Sequence, residues 1–267
     1  MKLTLLRARI SASPIYRPED GWRVSRRRTA LLLCALGIFH LLLPSPAAAA
    51  DEAAEALKQR IVAGARSVTA DDYAFTRTSR TETRDDTKTE KRVVIERFDP
   101  TKPADARWTL VSINGQPPNA EELSKFRKGM AERRVANYGR IADYLAAAPA
   151  TVSTDGQGRK VLKIEKVPKG SVVVNDADVS ANAIGEATIN ESGEMPFVEQ
   201  IRFTSTKPTR VKLVAVIERI QVTTRYRMMP NGKPVPIELS SDMSGSMMGK
   251  QGKINTVTTY SDHRAVR

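Results

Sequence analysis

The segment 209–229, TRVKLVAVIERIQVTTRYRMM, decides the fold because its strand-forming residues change parity part-way along. Apolar side chains first occupy odd positions, ending at Ile217, and then even positions, beginning at Ile220. Successive side chains of a strand point to opposite faces, so an extra residue is needed to keep both sets on one face. We therefore expect one long strand that is not flat, with a β-bulge or a sharp bend near Glu218-Arg219.

Around this segment, residues 184–262 form strand-like runs separated by turn residues at 191–193, 207–208, 230–232 and 249–252. Such short connections are typical of an antiparallel meander, so we expect no helix longer than two turns within 195–228. Residues 73–98 and 108–113 also have strand composition, and the first of these strands is polar, which favours a place near the sheet edge. One further strand is predicted at 161–167.

Three helices are predicted before the meander. Residues 51–66 repeat apolar side chains at helical spacing, and Asn119 with Glu122 forms a capping-box pattern at the start of a second helix. A third, short helix is predicted near 141–148. We therefore predict an α+β fold with a single domain over residues 51–267, since no linker or internal repeat interrupts it.

The N-terminal residues have the pattern of a secretory signal peptide. Arg26-Arg27-Arg28 precedes an apolar run from Thr29 to Leu43, and Ala48-Ala49-Ala50 stands before Asp51. We expect cleavage after Ala50 and a periplasmic protein, with residues 1–23 as an extension before the signal. The general secretory route is favoured, with twin-arginine export as the alternative.

Charge and composition exclude several function classes. The chain carries a formal charge of +13, but residues 1–50 hold eight basic and two acidic side chains, which leaves +7 on residues 51–267. That modest excess does not indicate a nucleic-acid partner, and we expect a monomer. Residues 51–267 contain no Cys and one His, so disulfides, thiol catalysis and Cys-rich metal sites are excluded.

The sequence offers no convincing catalytic or metal site. His263 beside Asp262 lies near the C-terminus, and no G-x-S-x-G nucleophile motif is present. Residues with side-chain oxygens alternate over 176–182, as at the start of a calcium loop. The Gly and Glu that an EF-hand loop also requires are missing at the corresponding positions. We therefore predict no enzyme activity, no catalytic residue, no metal and no cofactor.

The most informative feature is an apolar face on the late strands. Five of the eight methionines lie in two adjacent strands, where flexible thioethers suit varied apolar partners or simply fill a core. The opposite face, from Arg219 to Arg227 at odd positions, is predicted to face water. The predicted apolar ligand-binding residues are Ile201, Phe203, Ile220, Val222, Tyr226, Met228, Met243 and Met247.

Four short stretches of the chain resemble a known family: 107–110 (RWTL), 114–118 (NGQPP), 185–187 (GEA) and 259–262 (TYSD). With the order of elements, they resemble the LolA-type periplasmic lipoprotein carriers and their uncharacterised exported relatives. The resemblance implies a strongly curved, incomplete β-barrel whose helices cover the concave side over an apolar chamber. No gating residue of the family is matched here, so none is carried over.

Two functions follow from this resemblance. The first is a soluble periplasmic protein that binds or carries an apolar acyl chain of a lipid or lipoprotein, without catalysis. The alternative is an envelope interaction or sensing domain with the same fold and a filled core, whose partners are envelope proteins or an anionic membrane surface. An apolar cavity of several hundred Å³ would favour the carrier over the filled core.

Overall fold

The computed structural model describes residues 46–130, 133, 135–146, 151–174, 177–211 and 215–266. Almost all of the predicted signal peptide and its extension lie outside these residues, so export and cleavage after Ala50 stay predictions. In the described part of the chain, no helix is both long enough and apolar enough to cross a membrane.

The residues that the structure describes form three α-helices, one short 3₁₀ helix at Ser180–Asn182 and thirteen strands. The helices are α1 (Pro46–Arg66), α2 (Ala120–Lys128) and α3 (Arg140–Ala146). The strands are β1 (Tyr73–Asp85), β2 (Thr89–Phe98), β3 (Trp108–Ile113), β4 (Thr151–Thr154), β5 (Lys160–Ile164), β6 (Val173–Val174), β7 (Ala177–Asp178), β8 (Ala183–Asn190), β9 (Phe197–Ser205), β10 (Thr209–Val211), β11 (Ala215–Met228), β12 (Pro234–Met247) and β13 (Lys250–Ala265). The predicted α+β class is therefore confirmed.

Eleven strands form one antiparallel sheet in the order β3-β2-β1-β13-β12-β11-β9-β8-β5-β4, with β10 paired to β11. The predicted meander is present from β8 onward, since neighbouring strands of this part are joined by short connections. One expectation was wrong: residues 209–229 are not a single bent strand. Val211 pairs with Ala215 and Thr209 pairs with Ile217, so the chain reverses direction between β10 and β11.

The predicted bulge is confirmed in β11, where the register with β12 shifts between Ile217 and Arg219. Because of this shift, Ile217 and Ile220 are both buried in the same core cluster despite their opposite parity. The opposite face of β11 is less uniform than expected. Thr223 is buried, although it was predicted to face water, and its register partners are Arg202 and Ser240.

Strand β1 lies inside the sheet, between β2 and β13, and the expectation of a place near the edge was wrong. Its polar side chains find partners across the strand pair with β13. The hydroxyls of Ser79 and Thr258 lie 3.0 Å apart, and those of Thr81 and Thr256 lie 3.2 Å apart. Cross-strand hydroxyl pairs of this kind let a polar strand occupy an interior position.

Two apolar clusters stabilise the two halves of the sheet. The larger cluster joins α1 and α3 to strands β5 and β8 to β12. The smaller one joins α2 to β1, β2, β3 and β13 around Phe75, Trp108 and Phe126. Helix α2 begins with the predicted capping box, in which Asn119 and Glu122 each accept a hydrogen bond from the other's backbone N–H.

Candidate functional site

An apolar groove with a volume of about 440 Å³ crosses one end of the sheet. It extends from the β1–β2 turn, over the ends of β13 and β12, to the start of β11 and the end of β10. The described residues that line it all belong to strands or to the turns between them. Its apolar side chains are Val211, Ala215, Val216, Ile217, Met243, Met247 and Ile254.

The groove lies on the same face of the sheet as the larger apolar cluster. Met243 and Ile217 belong to that cluster, and Met247 and Ile254 pack against it. Met243 pairs with Ile254 across β12 and β13, so these two side chains lie side by side. The groove is therefore a region of the core face that the described part of the chain leaves uncovered.

Two glycines take part in the floor of the groove. Gly245 pairs with Gly252 across β12 and β13, and both line the cavity. Gly252 has the parity of Ile254, whose side chain packs against the core cluster. A row without side chains thus lies between Met243 and Met247.

The polar rim of the groove begins with the β1–β2 turn, which Asp85 organises. Its carboxylate accepts hydrogen bonds from the Thr87 hydroxyl and from the backbone N–H groups of Thr87 and Lys88. The hydrogen bond from the Thr87 hydroxyl, together with these N–H groups, lowers the pKa of Asp85 below its ordinary value. The role of the Asp85 carboxylate is thus to stabilise the turn.

The cations of the rim fall into two groups. Arg84 and Lys88 form ion pairs with Glu82 and Glu90. Lys250 and Lys253 also line the groove, and no carboxylate of the described residues forms an ion pair with either. With Asp85 and Asp86 as the only acidic lining residues in this part of the chain, the described rim is net basic.

The structure brings two of the eight predicted ligand-binding residues to the groove, Met243 and Met247. Five others lie in the larger cluster together with α1 and α3: Ile201, Phe203, Ile220, Val222 and Tyr226. Met228 packs against the same cluster but stands at the opposite end of β11 from the groove.

The covered part of this face is tightly packed by aromatic residues. The ring of Tyr144 in α3 contacts Phe203 edge-to-face at 5.1 Å, and Tyr138 contacts Tyr226 in the same way at 5.0 Å. The Tyr138 hydroxyl also accepts a hydrogen bond of 2.8 Å from the backbone N–H of Val198. Burial raises the pKa of both tyrosines, so both stay neutral at physiological pH.

Sequence reasoning missed most of the residues of the groove, although one signal was present. Val211, Ala215 and Ile217 were recognised as an apolar set of one parity, and the predicted bulge places Ile217 on the core face. No sequence pattern indicated the polar rim. Its residues lie in the β1–β2 and β12–β13 turns, which come together only because strands distant in sequence pair with each other.

His263 is remote from the groove and lines a small cavity of about 20 Å³ with Tyr73 and Tyr138. Burial, followed by the charge of Arg227, lowers the pKa of the imidazole. Its Nε2 atom is buried and has no hydrogen-bond partner among the described residues. In the same part of the chain, no group of three or more His, Cys, Asp or Glu could hold a metal ion.

Comparison with known proteins gives likenesses to solved structures, among them the following two. A LolA superfamily protein from Nitrosomonas europaea is 16% identical, with 80% of this chain and 94% of that chain covered and a TM-score of 0.31. A domain assigned to outer membrane lipoprotein sorting, from Vibrio parahaemolyticus, is 13% identical, with 81% and 92% covered and a TM-score of 0.32. The chain is thus similar to LolA-type proteins.

No protein-family model matches the chain, and no curated protein matches it. The two likenesses concern the fold, and the function proposed below rests on the groove.

Proposed function

We propose that this protein is a periplasmic binder or carrier of an apolar acyl chain, from a lipid or a lipoprotein, and that it performs no catalysis. The observation that carries the proposal is the groove of about 440 Å³, whose floor is formed by methionine, isoleucine, valine and two glycines. Its volume falls within the range of about 300–1,000 Å³ that is usual for small-molecule sites.

The chemistry of the groove suits a flexible hydrocarbon. Each methylene that leaves water contributes about 0.8 kcal/mol, so a chain that buries several methylenes gains enough to bind. Met243 and Met247 can adjust their rotamers to different chains, because unbranched thioethers are flexible. The basic rim adds a place for a polar or anionic head group at the mouth of the groove.

We also propose that residues 51–267 form one domain and that the sheet curves into an incomplete barrel with α1 and α3 on its concave side. The bulges in β11 support this curvature, since a bulge bends a strand and increases its twist. The shared cluster of α1, α3 and the inner strands supports the placement of the helices.

The alternative function, an interaction or sensing domain with a filled core, is favoured by one observation. The rings of Tyr138 and Tyr144 pack against Tyr226 and Phe203, and five of the predicted ligand-binding residues lie in this packed cluster. On this alternative the groove would stay empty in the cell.

Native mass spectrometry of protein taken directly from the periplasm, followed by lipid extraction, distinguishes the two functions. We expect a bound mass that yields an acyl-chain molecule on extraction. A protein that carries no such mass, and that does not bind a fluorescent fatty acid when one is added, would favour the interaction domain. Recovery from the periplasm also tests the predicted export.

A further inference from the structure

The turn between β12 and β13 exposes a large apolar side chain next to residues that line the groove. Met248 is 72% exposed, compared with 50% for Met195, 45% for Ile184 and 38% for Val257, the other large exposed hydrophobic residues described. Its neighbour Met247 lines the groove. An apolar side chain in this position reaches outward from the ligand site into solvent.

The backbone of this turn makes methionine an unexpected choice. Met248 has a φ of 51° and Gly249 a φ of 79°, so both central residues lie in the left-handed region, as a two-residue hairpin turn requires. Asn, Asp or Gly adopts this conformation most readily. Neither the backbone conformation nor burial therefore explains why a methionine occupies position 248.

Cations without ion pairs accompany the exposed methionine. Lys250 and Lys253 follow it in β13, and no described carboxylate forms an ion pair with either. The nearby Glu218 accepts a hydrogen bond from Gln251. Asp85 is engaged by its own turn, and Asp86 is the remaining acid of the rim.

From these observations we propose that the β12–β13 hairpin docks onto the surface of an anionic bilayer. Met248 enters the boundary between head groups and acyl chains, and Lys250 and Lys253 contact the lipid phosphates. An apolar side chain next to basic residues is the combination that binds anionic membrane surfaces. Docking brings the mouth of the groove to the bilayer, and this consequence rests on the proposed function.

Sedimentation with vesicles tests the docking. The protein, purified as the cell produces it, is mixed with vesicles of phosphatidylglycerol and phosphatidylcholine, or of phosphatidylcholine alone. We expect binding to the anionic vesicles only, weakened by salt. Lys250→Gln and Lys253→Gln should each reduce this binding about fivefold, the usual effect of one cation near an anionic surface.

Met248→Asn is the most informative variant, because asparagine suits the left-handed backbone and removes the apolar side chain. It should lose vesicle binding while its melting temperature stays unchanged or rises. Met195→Asn is the matched control, since it removes a half-exposed methionine from a turn outside the groove lining. It should bind vesicles as the wild type does.

Two results would overturn the docking proposal: a wild-type protein that does not bind anionic vesicles, or a Met248→Asn variant that binds them equally well. Binding of a fluorescent fatty acid without vesicles separates this from the proposed function. If the protein binds the fatty acid but not the vesicles, the docking proposal is wrong and the carrier function stands. If the protein binds the vesicles but not the fatty acid, the carrier function is wrong.

Discussion

Gly245 and Gly252 face each other across β12 and β13, but they lack side chains for different reasons. A Cβ atom on Gly245 would lie 2.3 Å from the carbonyl oxygen of Val216 in β11, closer than atoms can approach. A Cβ atom on Gly252 would lie 3.5 Å from its nearest neighbour, the carbonyl oxygen of Arg84. Gly245 is thus required by the bulged backbone, whereas Gly252 has room for a Cβ atom at ordinary contact distance.

This difference predicts opposite results for two alanine substitutions. Gly245→Ala should destabilise the fold by about 1–3 kcal/mol, the usual cost of overpacking, because the backbone of β11 must move. Gly252→Ala should change stability by no more than about 0.5 kcal/mol or raise it, since alanine restricts the unfolded chain. Urea unfolding of both variants checks the prediction. Equal effects would contradict it.

The hydrogen bond from Val198 to the Tyr138 hydroxyl predicts a cost for Tyr138→Phe. The Val198 N–H lies where β9 shifts its register against β8. The Tyr138 hydroxyl accepts its hydrogen bond in place of a backbone carbonyl of a neighbouring strand. Removing the hydroxyl leaves a buried donor unsatisfied, at a cost of about 1–3 kcal/mol. Tyr144→Phe is the control, because no hydrogen bond from its hydroxyl is described. If both variants unfold at the same urea concentration, the Tyr138 bond contributes nothing.

A buried carboxylate near α2 predicts a large loss of stability. Glu96 is 4% exposed and accepts hydrogen bonds of 2.8 and 2.6 Å from Arg77, with an ion pair to Arg133. Glu96→Ala leaves two partly buried arginines without their carboxylate and should cost about 3–5 kcal/mol. Glu82→Ala, which breaks exposed pairs, should cost less than about 1 kcal/mol. Thermal melts that show equal losses would contradict this.

The lowered pKa of His263 predicts a pH dependence. Burial, the main cause, and the charge of Arg227 favour the neutral imidazole in the folded state. The unfolded chain binds a proton more readily, so this contribution is present above the unfolded pKa of about 6.5 and is lost as the pH falls below it.

Between about pH 8 and about pH 5.5, wild-type stability should therefore fall more than that of His263→Gln. Urea midpoints at the two pH values measure the difference. Asp72 and Asp178, whose pKa values are also lowered, titrate below this window and do not obscure it. Parallel changes in the two proteins would show that His263 does not cause the loss.

Local patterns predicted much of the fold. The parity change in β11 located the bulge at Ile217, and the Asn119–Glu122 spacing located the start of α2, because both features depend on neighbouring residues. The reversal between β10 and β11 was missed, since the strand-like composition of 209–229 hides it. The interior position of β1 was missed because its hydroxyl partners are about 180 residues away in sequence, in β13.

The candidate site was predicted less completely than the fold. The alternation of apolar residues identified the apolar face of the sheet. It did not show which part of that face α1 and α3 cover. Tyr144 and Tyr138 cover Phe203 and Tyr226, whereas Met243 and Met247 line the groove. Which part of a face is covered depends on tertiary packing of short helices, for which these residues carry no local signal.

Filling the groove is the most direct test of the proposal that it holds an acyl chain. Gly252→Leu adds a side chain to the groove floor, where a Cβ atom would lie 3.5 Å from its nearest neighbour, and Asn255→Leu adds the same side chain at an exposed position of β13 outside the groove lining. The measurement is the stoichiometry of a bound fluorescent fatty acid. We predict that wild type and Asn255→Leu bind it and that a folded Gly252→Leu does not. Equal binding by all three proteins would contradict the account.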